Sequence, residues 1–297
     1  MKKVLIITYY WPPAGGPGVQ RWLKFVKYLP EFNIEPILFV PKNANYPLID
    51  NSLNNDIKNG LKVIRFPITE ISGFLPKFKF LKSIRSGNIS KTKNQSFIQK
   101  VFFFIRGNLF IPDMKIFWKN NSVNFLSDYI SKNNIDTIIT TGPPHSVHLI
   151  GLELKSRLNI NWISDFRDPW VNLNYLNRFH LLSSSKKCHK NLRNKVLINS
   201  DAVIVTSEKL KNLFLNITTN VFKITNGFDH INKEINLDEK FSISHVGSLY
   251  PERNPKFLWD ILEEVFDGSL LSDLQINFIG NTSEKIKKEL SKRKFKK

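Results

Sequence analysis

The chain has almost no cysteine and no long apolar run. Only one of its 297 residues is a cysteine, Cys188, which excludes a disulfide scaffold or a cysteine-rich zinc site and is consistent with a reducing compartment. No stretch approaches the roughly 18 uninterrupted apolar residues of a transmembrane helix. The apolar run at residues 4–7 is too short for a secretory signal, and no small-residue cleavage site follows it. We therefore expect a cytoplasmic protein.

Several familiar catalytic motifs are also missing. The sequence contains no G-x-S-x-G, H-E-x-x-H or Walker pattern, so common hydrolase, zincin and P-loop functions lack support. His145 and His148 have H-x-x-H spacing, but no third ligand is close in sequence, and we expect no metal. A NAD site is disfavoured because Arg21 stands where the third glycine of the dinucleotide fingerprint belongs. The second predicted strand also ends in Pro-Lys, not in an acid that would hold a ribose.

Acidic residues are scarce relative to basic ones. The chain has 44 Lys+Arg against 25 Asp+Glu, and 44 − 25 gives +19. Residues 76–120 hold ten basic residues and one acid (+9), and residues 284–297 hold eight and two (+6). Such charge attracts polyanions, and the aromatic residues within 76–120 favour an anionic membrane surface. A core helix flanked by a solvated basic loop explains the same segment. Nucleic acid is disfavoured because the aromatics occur in runs such as 102–104, not spaced as stacking platforms.

The hydrophobic pattern alternates between strand and helix signals along the whole chain. The continuous apolar run at 4–8 predicts a strand buried on both faces, and a second buried strand is predicted at 36–40. Further strands are predicted at 61–66, 135–140, 162–164, 202–206, 221–224, 242–246 and 274–279. Periodic apolar positions predict helices at 19–29, 97–105, 122–130, 146–157, 184–198, from the N-cap Ser207 onward, 255–266 and 283–292. In the first helix, Arg21 is expected to point away from the apolar face. This alternation predicts an α/β fold with a parallel sheet.

Two segments lack this alternation. Residues 71–95 are irregular and basic, and residues 230–240 are polar, as in a linker. We therefore predict a first domain at 1–235 and a second at 236–297. The second contains two βα units, which are too few to close a doubly wound domain, so we expect it to be incomplete.

Two loops follow strands at the edge where open α/β sheets bind ligands. Gly15, Gly16 and Gly18 lie between a strand and a helix, where backbone N–H groups favour an anion. An ordinary tight turn would also use these glycines. His145 follows another strand, and its neutral ring both donates and accepts hydrogen bonds. It is a candidate for positioning a substrate, with a structural hydrogen bond as the alternative.

Charged residues follow two further strands. Asp165, Arg167 and Asp168 place two acids and a base within four positions. Such density is typical of a ligand-facing cluster with shifted pKa values, or of an internal ion-pair network. Arg253 and Lys256 lie at a helix start, where cations oppose the macrodipole. A diphosphate bound between them would account for that placement.

Five segments together carry a family resemblance. They are Tyr-Tyr-Trp-Pro-Pro (9–13) with its glycine loop, Thr-Gly-Pro-Pro-His-Ser (141–146), Asp-Phe-Arg-Asp-Pro-Trp (165–170), Thr-Asn-Gly-Phe-Asp (225–229) and His-Val-Gly-Ser-Leu-Tyr (245–250). In order and spacing they resemble the bacterial family 4 glycosyltransferases of the GT-B fold. The resemblance implies two facing Rossmann-like domains, here with the second one incomplete. It also implies retaining transfer from a nucleotide-sugar, without metal or other cofactor, to a saccharide or lipid-linked acceptor of the cell envelope. The inner face of the plasma membrane is then the expected location.

The resemblance also assigns roles to residues. It implies a catalytic role for His145 and donor-phosphate binding by Gly15, Gly16, Gly18, Arg253 and Lys256. To the charged cluster we assign a catalytic role for Asp168 and orientation of the acceptor or loop by Asp165 and Arg167. The chain departs from the family at Ser248, where many members have arginine, and it lacks the E-x(7)-E element of the donor domain. Two alternatives follow: an inactive, truncated fragment, or a non-catalytic protein that binds polyanions or membranes.

Overall fold

The computed structural model describes residues 1–68, 97–171, 179–229, 236–266 and 272–294. The chain divides into two compact units, and the first ends at Gly227 while the second begins at Phe228. The predicted irregular segment 71–95 and residues 230–235 of the predicted linker lie outside the described residues. The domain boundary expected after residue 235 adjoins that gap and stays a prediction.

The two units have the following elements. The strands of unit 1 are β1 (Lys2–Thr8), β2 (Ile34–Pro41), β3 (Lys62–Phe66), β4 (Thr137–Gly142), β5 (Asn161–Phe166), β6 (Ala202–Val205) and β7 (Val221–Lys223). Its helices are α1 (Pro17–Tyr28), α2 (Phe97–Leu109), α3 (Trp118–Lys132), α4 (Ser146–Arg157), α5 (Ser183–Asn199) and α6 (Glu208–Leu215). Unit 2 contains β8 (Phe241–Val246), α7 (Lys256–Val265), β9 (Leu274–Ile279) and α8 (Glu284–Leu290). These elements confirm every predicted strand and helix, with ends shifted by up to four residues.

The seven strands of unit 1 form one parallel sheet, in the order β3-β2-β1-β4-β5-β6-β7. Side chains of β1 point alternately to the two faces. Leu5 and Ile7 pack in a core with residues of α3 and α4, and Val4 and Ile6 pack in a second core with residues of α1. Both faces are therefore covered by helices, as the uninterrupted apolar run in β1 predicts.

The direction in which the chain adds strands to the sheet changes between β1 and β4, while the strands stay parallel. From β1 the chain builds outward through β2 and β3, and it then returns to place β4 on the other side of β1. The two strands pair in register as far as Thr8 opposite Thr141. The loops that follow them leave the sheet side by side and diverge, which creates the crevice where open α/β sheets bind ligands.

Unit 2 is built around a parallel pair of strands, β8 and β9. Helix α7 buries Trp259 and Leu262, and α8 buries Ile286. The indole N–H of Trp259 donates to the Asn254 amide oxygen at 2.7 Å, and the Asn254 amide donates to Glu289 at 3.0 Å. These bonds fix the loop before α7 to α8. In neither unit does a described helix have the length and apolar character needed to cross a bilayer.

Close packing of α4 against the sheet predicts a strong effect at Gly151. A Cβ atom there would lie 2.4 Å from the indole nitrogen of the fully buried Trp162. We expect Gly151→Ala to lower the free energy of unfolding by about 1–2 kcal/mol, because overpacking outweighs the better helix propensity of alanine. Gly227→Ala is the control, since nothing lies within 4 Å of its Cβ position. Urea denaturation followed by tryptophan fluorescence measures both, and equal stability of the two variants would contradict the packing argument.

Candidate functional site

A buried ion pair stands behind the crevice between β1 and β4. The guanidinium of Arg21 in α1 contacts the carboxylate of Asp165 in β5 at 2.9 Å, and the two side chains are 1% and 0% exposed. The same carboxylate accepts hydrogen bonds from the Trp22 indole at 2.7 Å and the Thr141 hydroxyl at 2.9 Å. One carboxylate thus joins α1 to the ends of β4 and β5. Our expectation that Arg21 points away from the apolar side of α1 is wrong.

Arg21 also reaches the end of unit 1. Its second terminal nitrogen donates to the Thr225 carbonyl and to the Asn226 side-chain oxygen, both at 3.1 Å. These contacts account for the polar start of the segment 225–229. They hold it against α1 at the point where unit 1 ends.

The N-terminus of α1 is open to a ligand. Gly16 is its N-cap residue and has a φ of 98°, a conformation that favours glycine. No side chain caps α1, its first turn has no acid, and no described residue accepts from the N–H groups of Gly16 or Gly18. Unpaired N–H groups and the helix macrodipole favour an anion there.

Helix α4, which follows the adjacent strand β4, has an N-terminus that differs from that of α1. Asp113 accepts hydrogen bonds from the Ser146 backbone N–H at 2.9 Å and from the Ser146 hydroxyl at 2.8 Å. A carboxylate of the chain therefore already occupies the N-terminus of α4. Of these two helices, only α1 has an N-terminus without such a carboxylate.

Arg167 lies between the glycine loop and the loop after β4. It donates to the carbonyls of Gly142 at 3.1 Å and Pro143 at 2.6 Å. Its remaining terminal nitrogen lies 1.9 Å from where a Cβ of Gly18 would be, so only glycine permits this approach. Burial lowers the pKa of Arg167, and Asp165 and Asp168 oppose that shift. An arginine stays protonated in any case, so a positive charge stands beside the open end of α1.

Gly15 has another role in this loop. Its N–H donates to the Leu48 carbonyl at 2.9 Å, and Asp50 N–H donates to the Pro13 carbonyl at 2.9 Å. The loop that follows β2 therefore supports the glycine loop from outside. Gly15 positions the backbone, whereas Gly16 and Gly18 present their N–H groups.

His145 lies in a stack of rings beneath the loop after β4. Its imidazole is parallel to the Trp170 indole, with centroids 4.7 Å apart and an interplanar angle of 6°. The ring is 5% exposed, and neither of its nitrogens has a partner among the described residues. Burial, reinforced by His148 and Arg167, holds the pKa of His145 well below 6.5. A neutral ring with an unpaired donor and acceptor is suited to a hydroxyl group.

His148 belongs to the structural core beside it. Its Nδ1 lies 2.9 Å from the Thr140 hydroxyl, which also accepts from the Trp162 indole at 2.9 Å. Burial and the charge of Arg167 lower the pKa of His148 to about 3. His148 therefore stays neutral at physiological pH.

Asp168 is the half-buried acid of the cluster. Burial raises the pKa of its carboxyl above the ordinary value, and Arg167 counteracts the shift. No described residue makes a hydrogen bond or ion pair with this carboxylate. It is thus a carboxylate near the edge of the sheet with its oxygens available.

Arg253 and Lys256 belong to unit 2. Arg253 ends a short 3-10 turn, Lys256 is the first residue of α7, and both side chains are exposed. Neither cation forms an ion pair with a residue in the described part of the chain. Their assignment to a diphosphate stays a prediction.

Within unit 1, the structure brings Gly16, Gly18 and Arg167 together, with His145 beneath the adjacent loop. It places Asp165 behind them, enclosed by Arg21, Trp22 and Thr141. Local sequence patterns did not indicate the roles of Arg21 and Asp113, because their partners Asp165 and Ser146 are 144 and 33 positions away.

Comparisons with known proteins bear on the fold. No protein-family model matches the chain, and no curated protein matches it in sequence. Among solved structures, it is similar to the lipopolysaccharide outer core galactosyltransferase WaaB in its apo form, with a TM-score of 0.53 and 12% identity. It is also similar to TarM, with a TM-score of 0.54 and 14% identity. A third similar structure is a point mutant of S. aureus TarM in complex with Fondaparinux, alpha-GlcNAc-glycerol and UDP, with a TM-score of 0.50 and 14% identity to this chain. The fold of this chain is GT-B-like.

These similarities extend over nearly all of this chain but not over all of the others. The match to WaaB covers 98% of this chain and 64% of that one, and the match to TarM covers 98% and 74%. The match to the TarM mutant covers 98% and 75%. The likeness therefore concerns the fold.

The buried pair predicts a large loss of stability when its acid is neutralised. We expect Asp165→Asn to lower the free energy of unfolding by about 3–5 kcal/mol, because Arg21 would remain buried without a counter-charge. Asp56→Asn is the matched control, since Asp56 pairs at the surface with Lys24, which is also on α1, at 2.9 Å. That change should cost at most about 1 kcal/mol. Urea denaturation at neutral pH compares them, and a similar cost for both would contradict a central role for Asp165.

The depressed pKa of His148 predicts a pH dependence. Above its unfolded pKa of 6.5, neither state binds a proton, and below it only the unfolded state does so until about pH 3. Stability should therefore fall as the pH falls, with His148 contributing about 2 kcal/mol of the loss by pH 5. His148→Asn should flatten the curve of unfolding free energy against pH between 7 and 5 by that amount. The exposed His180→Asn is the control, and an unchanged slope in His148→Asn would disprove the assignment.

Proposed function

We propose that this protein transfers a sugar from a nucleotide-sugar donor to a saccharide or lipid-linked acceptor of the cell envelope, with retention of configuration. The proposal rests on one observation. In a GT-B-like fold, the uncapped N-terminus of α1 and the guanidinium of Arg167 lie together at the carboxyl ends of β1, β4 and β5. The described neighbours are consistent with it, since WaaB is a galactosyltransferase and the TarM mutant was solved with UDP.

The positive charge at the N-terminus of α1 and on Arg167 suits a departing diphosphate. When the bond between the sugar C1 and the diphosphate oxygen breaks, negative charge builds on the diphosphate and positive charge on the sugar. Groups that already point at the developing charge stabilise it without reorganisation. The N–H groups of Gly16 and Gly18 and the guanidinium of Arg167 have that arrangement. Asp165 neutralises Arg21, so Arg167 is the cation directed at the ligand.

Two further side chains suit the uncharged parts of the substrates. His145 is neutral and has a donor and an acceptor without protein partners, so it can orient a sugar hydroxyl. Asp168 can accept a hydrogen bond from an acceptor hydroxyl, and its raised pKa makes it a stronger base than an exposed aspartate. His145 and Asp168 would therefore contact the substrates, whereas Asp165 stabilises the fold through its ion pair with Arg21.

In unit 2, Arg253 and Lys256 are candidates for binding donor phosphate, as the family resemblance implies. Both are exposed cations beside the start of α7, where they have no ion-pair partner among the described residues. The expectations of an incomplete donor domain and of a reaction without metal or cofactor stay predictions. The inner face of the plasma membrane stays the predicted location, because a lipid-linked acceptor would be held there.

Calorimetric titration with nucleotide-sugars tests the proposed donor site. We expect Arg167→Gln and Arg253→Ala each to weaken binding roughly 10- to 100-fold, as the loss of one hydrogen bond to a charged group does. Lys209→Ala in unit 1 and Lys285→Ala in unit 2 are matched controls with exposed lysines, and both should bind as the unchanged protein does. Thermal unfolding of every variant separates lost binding from lost folding.

The panel should contain UDP- and GDP-sugars, with the released nucleoside diphosphate and the anomeric configuration of any product as readouts. Binding that is lost in Arg167→Gln but retained in the controls supports the proposal. If no nucleotide-sugar binds, or if all four variants bind equally, the assignment is wrong. An inverted product would contradict retention alone.

A further inference from the structure

Helix α2 presents an apolar face to solvent. Six large apolar side chains on it are between 40% and 78% exposed: Phe97, Ile98, Val101, Phe104, Ile105 and Leu109. Because these positions follow one another mostly at intervals of three or four residues, their side chains lie along one side of the helix. We call this set the α2 face. So many exposed apolar groups on one helix side indicate a binding surface.

The opposite side of α2 is fixed to unit 1. Phe103 is 3% exposed and its ring packs against Phe179, with centroids 5.7 Å apart. Gly107 approaches so closely that a Cβ atom there would lie 2.6 Å from Phe179 and Leu181. On the other side, Asn108 follows Phe104 by four residues, and its side chain accepts from the Leu182 N–H at 2.8 Å. The helix therefore cannot turn the α2 face inward without breaking these contacts.

Basic residues surround the α2 face. Residues 97–112 contain no acid, and neither does α5. Helix α5 begins one residue after Leu182, which is itself half exposed, and so its first turns lie next to α2. The exposed lysines of this region are Lys100, Lys186, Lys187 and Lys190. An apolar face bordered by cations matches the composition of helices that lie in a membrane interface.

We propose that the α2 face docks on an anionic lipid bilayer, with its apolar side chains below the headgroups and the neighbouring lysines among them. Each buried apolar side chain and each lysine near anionic headgroups adds to the binding. A second copy of the chain fits less well, because two such faces in contact would bring like charges together. Charge complementarity therefore favours the lipid surface as the occupant.

The contacts behind α2 lead to the candidate site. His189 in α5 donates to the backbone of Gly107 in α2, and the Trp170 indole donates to His189 Nδ1 at 3.3 Å. Trp170 in turn stacks on His145. Two side chains, those of His189 and Trp170, thus connect helix α2 to His145. If the proposed function holds, docking would bring a membrane-held acceptor to that site.

Co-sedimentation with large unilamellar vesicles tests the docking. The vesicles contain either phosphatidylcholine alone or phosphatidylcholine mixed with phosphatidylglycerol, at low and high salt. We expect binding to the anionic vesicles that weakens with salt, and about tenfold or more loss of it in Phe97→Gln/Leu109→Gln. Phe32→Gln/Phe222→Gln is the matched control, because these rings are 73% and 54% exposed elsewhere on unit 1. Lys186→Gln/Lys187→Gln should lose about tenfold at low salt.

Three results would overturn the proposal. They are no association with anionic vesicles, an equal loss in the control pair, or a dimer by light scattering that Phe97→Gln/Leu109→Gln dissociates. The first excludes lipid as the occupant, the second excludes the α2 face as the docking surface, and the third identifies a second copy in place of the lipid. Vesicle binding needs no nucleotide-sugar and donor binding needs no vesicle, so failure of the docking and failure of the proposed function are distinguishable. Unchanged thermal unfolding confirms that the variants are folded.

Discussion

The ion pair between Arg21 and Asp165 is the constraint on which the arrangement of the site depends. It ties α1 to β5, it shares Asp165 with Thr141 at the end of β4, and it holds Thr225 and Asn226 at the end of unit 1. It also determines which cation is available. Arg21 is neutralised by a carboxylate, whereas Arg167 is held by neutral carbonyl groups and keeps its charge at the open end of α1.

Local sequence patterns predicted the elements and the α/β class of the fold. Apolar runs and helical periodicity depend on neighbouring residues, so they indicate strands and helices without knowledge of the partners. The strand order and the environment of Arg21 depend on distant residues. Asp165 is 144 positions from Arg21 and Asp113 is 33 positions from Ser146, so no local pattern identifies either contact. The periodicity placed Arg21 on the polar side of α1, where its charge would ordinarily lie.

The residues of unit 1 at the crevice differ in charge. Backbone N–H groups and Arg167 form a positive end for an anion, and His145 remains neutral because it is buried between aromatic rings. Asp113 closes the competing helix end at α4. The same ring stack connects through His189 to α2, whose other side faces solvent. The proposed anion site and the proposed docking surface therefore both depend on the packing around one edge of the sheet.

A crystal structure of the protein with a bound nucleoside diphosphate tests this account most directly. The account predicts a phosphate oxygen at hydrogen-bond distance, about 3 Å, from the N–H of Gly16 or Gly18 and from the guanidinium of Arg167. A diphosphate that contacts none of these three groups would contradict it, because the open N-terminus of α1 would then have no part in binding the donor.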